Sequence, residues 1–205
     1  MDKQKYIEDL QEIKEMMSRS SRFLSLSGLS GVLAGVVAIL AAFAAYKTVY
    51  AQQDYLSYRR AILTTESLLT LLAIGLMAVI LAVGGGILFS SRKARKKSQP
   101  VWNIQTKRML ANLLIPLVSG GILTLLLLLK GYVGLVAPLT LIFYGLALVQ
   151  ASHFTLKEVK SLGILEIALG LLATYFIGYG LLFWVLGFGL LHIIYGVVME
   201  IKHPS

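Results

Sequence analysis

Three polar side chains lie within apolar runs of this sequence and have the spacing to do chemistry together: Glu166, His192 and Gln150. Gly178-Tyr179-Gly180 reads as a tight turn between two such runs, with Glu166 13 residues before Tyr179 and His192 13 residues after it. Antiparallel helices folded about that turn bring the carboxyl and the imidazole to one depth. Depth alone is insufficient, since each side chain must also rotate toward the other. Gly163 and Gly170 flank Glu166 at three and four residues, and Gly189 and Gly196 flank His192 in the same way. Both polar groups therefore share a face with small residues that permit close packing. Ionisable groups inside a membrane are costly and face a partner or a hydrated cavity. Three arrangements fit the pattern: a hydrogen-bonded structural tie across the helix pair, a proton-linked or solute-binding pocket lined by all three residues, or unrelated orientations. A buried tie exists as Glu⁻ with His⁺ or as two neutral groups.

Other chemistries find no residues to carry them. The chain has no cysteine, which removes disulfides, thiolate nucleophiles and cysteine-ligated metals. HExxH, GxSxG, CxxC and P-loop patterns are absent. A metal centre needs more than three histidines of which one, His203, lies in the tail. A haem held by His153 and His192 fails because His153 sits near a helix end, at a different depth. The sequence thus names no catalytic residue, no metal and no cofactor. Tyr144 and Tyr195 are able to donate into the polar layer, although by base rate they, with Trp102, Trp184, Tyr175 and Tyr179, serve as interfacial or packing residues.

The elements that position these groups are membrane spans. Of 205 residues, 57% are hydrophobic and only 14% are charged, against about 25% charged in a soluble domain. Mean hydropathy is +0.78. The apolar residues form long runs, each able to cross a hydrocarbon core of roughly 30 Å at ~1.5 Å per residue. The expected fold is all-α: six transmembrane helices at about 24–46, 66–90, 109–129, 133–152, 162–177 and 181–199, preceded by a short amphipathic helix over 1–23. The polar segments are too short to bury a separate soluble core.

Net charge is +9. The excess lies beside the spans, so topology explains it and nucleic acid is not implied. The 91–108 loop alone carries Arg92, Lys93, Arg95, Lys96, Lys97, Lys107 and Arg108 without an acid. Counting Lys and Arg on the two sets of helix ends gives 15 against 4, which places both termini in the cytoplasm. Ala42-Phe43-Ala44 resembles a signal-peptide cleavage site, but the preceding apolar run is too long and the leader too acidic, so an uncleaved leader is expected. Within that leader Tyr6, Leu10, Ile13 and Met17 form one stripe. Such a helix packs on the membrane domain or lies at the interface, or it pairs with a partner or a second copy.

Ser27, Gly31, Gly35, Ala38, Ala42 and Ala45 make a smooth ridge along the first span, suited to close helix approach. That approach is to another helix of this chain or to a second copy. The chain also looks internally repeated. Ser27–Ala38 aligns without gaps on Leu162–Ala173, and the fourth and sixth spans match at an offset of 42, which sets Gln150 against His192. The reading is three αα-hairpins, each with its turn outside.

The opening RSSRFLSLSGLSGVLAG, Arg19 to Gly35, resembles the start of an uncharacterised family of bacterial six-helix inner-membrane proteins. The glycine-punctuated hairpins resemble, in pattern, the HdeD-like membrane proteins, a group linked to acid stress. These likenesses imply a bacterial inner-membrane location and an accessory or stress-related role, and they supply no catalytic residues. The expected function is non-enzymatic, exercised through helix–helix assembly with a second copy or another membrane protein. The alternative is a small proton-coupled transporter or channel using Glu166, His192 and Gln150.

Overall fold

The computed structural model describes residues 27–47, 64–96 and 101–204. They form six helices: α1 (Gly28–Ala45), α2 (Thr65–Lys96), α3 (Ile104–Leu129), α4 (Val136–Ala151), α5 (Lys157–Tyr175) and α6 within Ile177–Lys202. The last is composite: a 3-10 entry Ile177–Tyr179, a short α-helical piece Gly180–Trp184, a π-helical stretch Val185–Leu191 and an α-helical piece His192–Lys202. The described residues contain no strand. All but α5 are long and apolar enough to cross a membrane, so the chain is a multi-pass membrane protein. Lys157, Glu158, Lys160 and Glu166 within its 19 residues keep α5 out of that set. The amphipathic helix expected over 1–23 lies outside the described residues.

Hydropathy marked the apolar parts of these helices but not their ends. Expected to stop at Ser90, α2 continues to Lys96, and α5 begins at Lys157 rather than Leu162. Backbone hydrogen bonding carries a helix past the hydrocarbon into turns with charged side chains, where hydropathy no longer reports it. Asn103 caps α3, its side chain accepting from the Thr106 N–H at 2.7 Å. That helix runs on through Pro116. It ends at Leu129 and the chain turns at Gly131, whose φ of +84° suits glycine, with the Tyr132 N–H bonded to the Leu127 carbonyl and the Gly131 N–H to that of Leu128.

The helices neighbour one another in chain order, α1 beside α2, α3 beside α4, α4 beside α5 and α5 beside α6, and α6 returns to pack along α1. Backbones come closest in two pairs, α4 with α5 and α6 with α1, which are not members of the expected hairpins. A methyl placed on Gly145 would lie 2.6 Å from the Gly163 carbonyl oxygen, and one on Gly163 would lie 2.7 Å from that of Gly145. On the other pair, a methyl on Gly196 would lie 2.7 Å from the Gly28 oxygen, and one on Gly28 would overlap the Gly196 oxygen. Where apolar burial gives no driving force between helices, such close approach is what holds them.

The two pairs repeat in detail. A methyl on Gly35 would meet the Gly189 oxygen at 2.6 Å and the Ile193 N–H nitrogen at 3.0 Å; one on Gly170 would meet the Pro138 oxygen at 2.9 Å and the Ile142 nitrogen at 3.0 Å. Pro138, Ile142 and Gly145 thus take the seats of Gly189, Ile193 and Gly196, an offset of 51. This corrects the offset of 42, which aligned Gly145 with Gly187. The packing follows Ile142-Phe143-Tyr144-Gly145 against Ile193-Ile194-Tyr195-Gly196.

The α1 ridge is used inside the molecule. Ser27 is buried, Gly31 sits 3.1 Å from the Gly196 Cα by the same methyl test, and Gly35, Ala38, Ala42 and Ala45 are buried.

A buried carboxyl, imidazole and phenol

Glu166 and His192 meet. Glu166 is 0% exposed, and its Oε1 lies 3.4 Å from His192 Nδ1. The third member of the cluster is Tyr144, whose hydroxyl is 2.7 Å from His192 Nε2. Gln150 is exposed at the end of α4. The corrected register accounts for this: at an offset of 51, Gln150 matches Ile201, itself 77% exposed, and His192 matches the fully buried Leu141.

The local fold explains the positions. Glu166 projects from α5 against Gly187 of α6, where any side chain would overlap Oε2. The π-helical stretch ends directly before His192, and the Gly187 carbonyl five residues back accepts from His192 Nδ1 at 3.0 Å. A carbonyl only accepts, so Nδ1 carries a hydrogen, as inferred from the network. Nε2 of the neutral ring then accepts from the Tyr144 hydroxyl; in the imidazolium it donates to it. Single π turns within helices concentrate at functional positions. Trp184, Phe188 and His192 follow at four-residue spacing on α6, and Tyr144 lies 4.9 Å from the Phe188 ring and 5.3 Å from the imidazole. This aromatic wall covers the cluster.

The glycines flanking the pair do a different job from the one their spacing suggested. Gly163 and Gly170 pack on α4, and Gly189 and Gly196 pack on α1. Glu166 and His192 meet beside these contacts rather than on them.

Both nitrogens of His192 have partners, whereas neither oxygen of Glu166 has a hydrogen-bond donor in geometry among the described residues. The 3.4 Å approach is within ion-pair range but is not a hydrogen bond. A buried carboxyl without a donor is a costly group to retain as an anion. The cluster offers no nucleophile–base pair.

A second polar cluster ties the helix ends on the basic side. Lys93, 1% exposed, donates through Nζ to the His203 carbonyl, linking α2 to the end of α6. Lys202 Nζ lies 3.2 Å from Glu158 Oε1 at the start of α5. The helix-start N–H of Glu158 holds its carboxyl below the usual range, with help from Lys202. Sequence reading missed the burial of Lys93. It looked like one more topogenic charge, and only its return to the stripe of Leu68, Gly75 and Gly86 at helical spacing marked it out.

Comparison with family models, with curated proteins and with solved structures finds no match to this chain.

Proposed function

We propose that this protein is a non-enzymatic, multi-pass protein of the bacterial inner membrane that acts through helix–helix assembly, in an accessory or stress-related role. One observation carries the reading: His192 spends both ring nitrogens on this chain's own groups, the Gly187 carbonyl and the Tyr144 hydroxyl, beside a fully buried Glu166. The polar groups then tie α4, α5 and α6 together. In its most apolar window α2 is only 6% buried, which leaves it the most lipid-accessible of the five long apolar helices for a second copy or another membrane protein. The test is capture of the intact protein in mild detergent. A stoichiometric partner or a defined oligomer is expected. A monodisperse, partner-free monomer from native membranes overturns the reading.

A proton-coupled carrier is the second reading, favoured by the two unpartnered oxygens of Glu166 beside a π-helical stretch. It requires proton flux into proteoliposomes that Glu166→Gln abolishes. Assembly requires vesicles no more permeable than empty ones.

In this reading α5 is the sixth crossing. It runs antiparallel along α4, with Gly163 against Gly145 and Gly170 against Pro138, so it occupies the same slab. Both termini then face the cytoplasm, as the Lys and Arg bias requires. Reporter fusions after Lys96 and at the C-terminus are expected to report cytoplasm, and one at Thr64 the outside. A C-terminal tag found outside removes α5 as a crossing.

A further inference from the structure

We propose that the last turn of α6 is a latch on α2, and that freeing Lys93 from it lets the basic end of α2 swing away from the bundle about a pivot at Leu68.

The pairs α4 with α5 and α6 with α1 are locked by backbone contact at their glycines. The hold on α2 is of another kind. Along its length α2 packs on α1 alone among the described helices. A methyl on Gly75, Gly84 or Gly86 would meet nothing within 4 Å, and one on Gly85 would meet only the end of the Leu33 side chain. The end of a side chain yields where a backbone oxygen does not.

What fixes α2 lies at its two ends. At the far end Leu68 packs against Leu128 and Val133. At the basic end Lys93 and Ala94 are 1% and 0% exposed, although Arg92, Arg95 and Lys96 beside them are exposed. Burial is thus concentrated in the charged turn while the apolar body lies open, the reverse of an ordinary packed span. Lys93 Nζ donates to the His203 carbonyl. That carbonyl is itself held in place. The His203 N–H bonds to the Met199 carbonyl at 2.8 Å, Lys202 reaches Glu158 on α5, and Gly28 of α1 packs on Gly196 and Glu200. The last turns of α6 therefore gather the ends of α1, α2 and α5, and α2 is attached there through a side chain that is able to leave.

A buried ammonium is costly without its acceptor. Lysine carries that charge on a long flexible stem, which extends to water once freed. Anything that displaces the His203 carbonyl therefore turns a tie into a drive for separation. Leverage magnifies the result. Lys96 lies 28 residues beyond Leu68, about 42 Å at ~1.5 Å per residue. A tilt of about 7° about Leu68 then moves Lys96 by about 5 Å, and a bilayer accommodates such a tilt at modest cost.

The chain has no cysteine, so pairs of introduced cysteines carry spin labels without background. One labelled protein has Lys96→Cys with Lys160→Cys, at the basic ends of α2 and α5; a second has Thr65→Cys with Tyr175→Cys, at their far ends. All four positions are exposed. Distances are read by double electron–electron resonance on the full chain in vesicles. Lys93→Glu, which reverses the charge against the carbonyl, and Lys93→Ala, which cuts the tie without adding a charge, are each expected to lengthen the basic-end distance by about 5 Å or more. The far-end distance is expected to stay as in the parent, which separates a swing from unfolding. Lys93→Arg keeps a donor and is expected to keep both distances, as is Arg95→Glu at the exposed neighbour. An unchanged basic-end distance in Lys93→Ala, the same lengthening in Arg95→Glu, or equal lengthening at both ends overturns the proposal.

Discussion

Gly28→Leu and Gly163→Leu are expected to destabilise the bundle by about 2 kcal/mol or more each, and by similar amounts. The two residues hold the same seat in the two close pairs. A methyl on Gly28 would overlap the Gly196 oxygen and come within 2.8 Å of the Glu200 Cβ; one on Gly163 would lie 2.7 Å from the Gly145 oxygen and 3.0 Å from the Leu148 Cβ. The nearest obstructing atom in each case is a backbone oxygen, and the Cβ atoms beside it are fixed by their own backbone, so neither rotates aside as the end of a side chain does. Separating the helices then forfeits dispersion along the whole contact, and in a membrane no hydrophobic term compensates. Gly75→Leu is the internal control, expected to fall within about 0.5 kcal/mol of the parent, because its methyl meets nothing within 4 Å. Unfolding in detergent, followed by circular dichroism, measures all three. A Gly28 variant as stable as the control removes α1 from the interior of the bundle.

The residues that misled and those that informed differ in a physical way. Hydrophobic run length reports depth, and depth is what brought Glu166 and His192 together about Tyr179. Facing direction depends on helix rotation, which run length does not report, and Gln150 shows the consequence. It was assigned a seat by an alignment rich in Gly and Leu, residues common in any apolar helix. The contacts instead follow Ile-x-Tyr-Gly, in which Tyr144 reaches the imidazole. The small residues of α1 were readable as a packing face because glycine and alanine at three- and four-residue spacing have that effect on any helix. Which helix they met was not readable: α6 returns to α1 from the far end of the chain, and the spacing of Gly189 and Gly196 marks a packing face without naming its partner. The π-helical stretch was equally silent, since no residue in Val185–Leu191 forbids the ordinary α-helical turn. Lys93 was hidden among neighbouring cations, although Arg92, Arg95 and Lys96 beside it are exposed.

Gly187→Ala is expected to destabilise the protein by about 1–3 kcal/mol, and shortening Glu166 is expected to recover most of that loss. The added methyl would overlap Glu166 Oε2 and lie 2.5 Å from the Leu141 Cδ2. Both neighbours are ends of side chains, but Glu166 and Leu141 are each 0% exposed, so neither has space to move into. Glu166→Ala removes the overlapped atoms. Measured alone, it also opens a small void and ends the 3.4 Å approach to His192 Nδ1. Combined with Gly187→Ala, the void receives the methyl. The cycle should therefore show a favourable coupling of about 1–2 kcal/mol, well above the ~0.6 kcal/mol typical of polar contacts between membrane helices. Glu166→Gln separates volume from charge. It keeps the size of the side chain and gives no relief to Gly187→Ala. Alone it reports what the carboxylate itself contributes, and with neither oxygen bonded to a donor that contribution is expected to be under about 1 kcal/mol. If Glu166→Gln instead costs as much as Glu166→Ala, and His192→Gln costs the same without adding to it, the carboxyl and imidazole act as a bonded pair. Additive effects of Gly187→Ala and Glu166→Ala place the carboxyl away from Gly187, and the buried cluster with it.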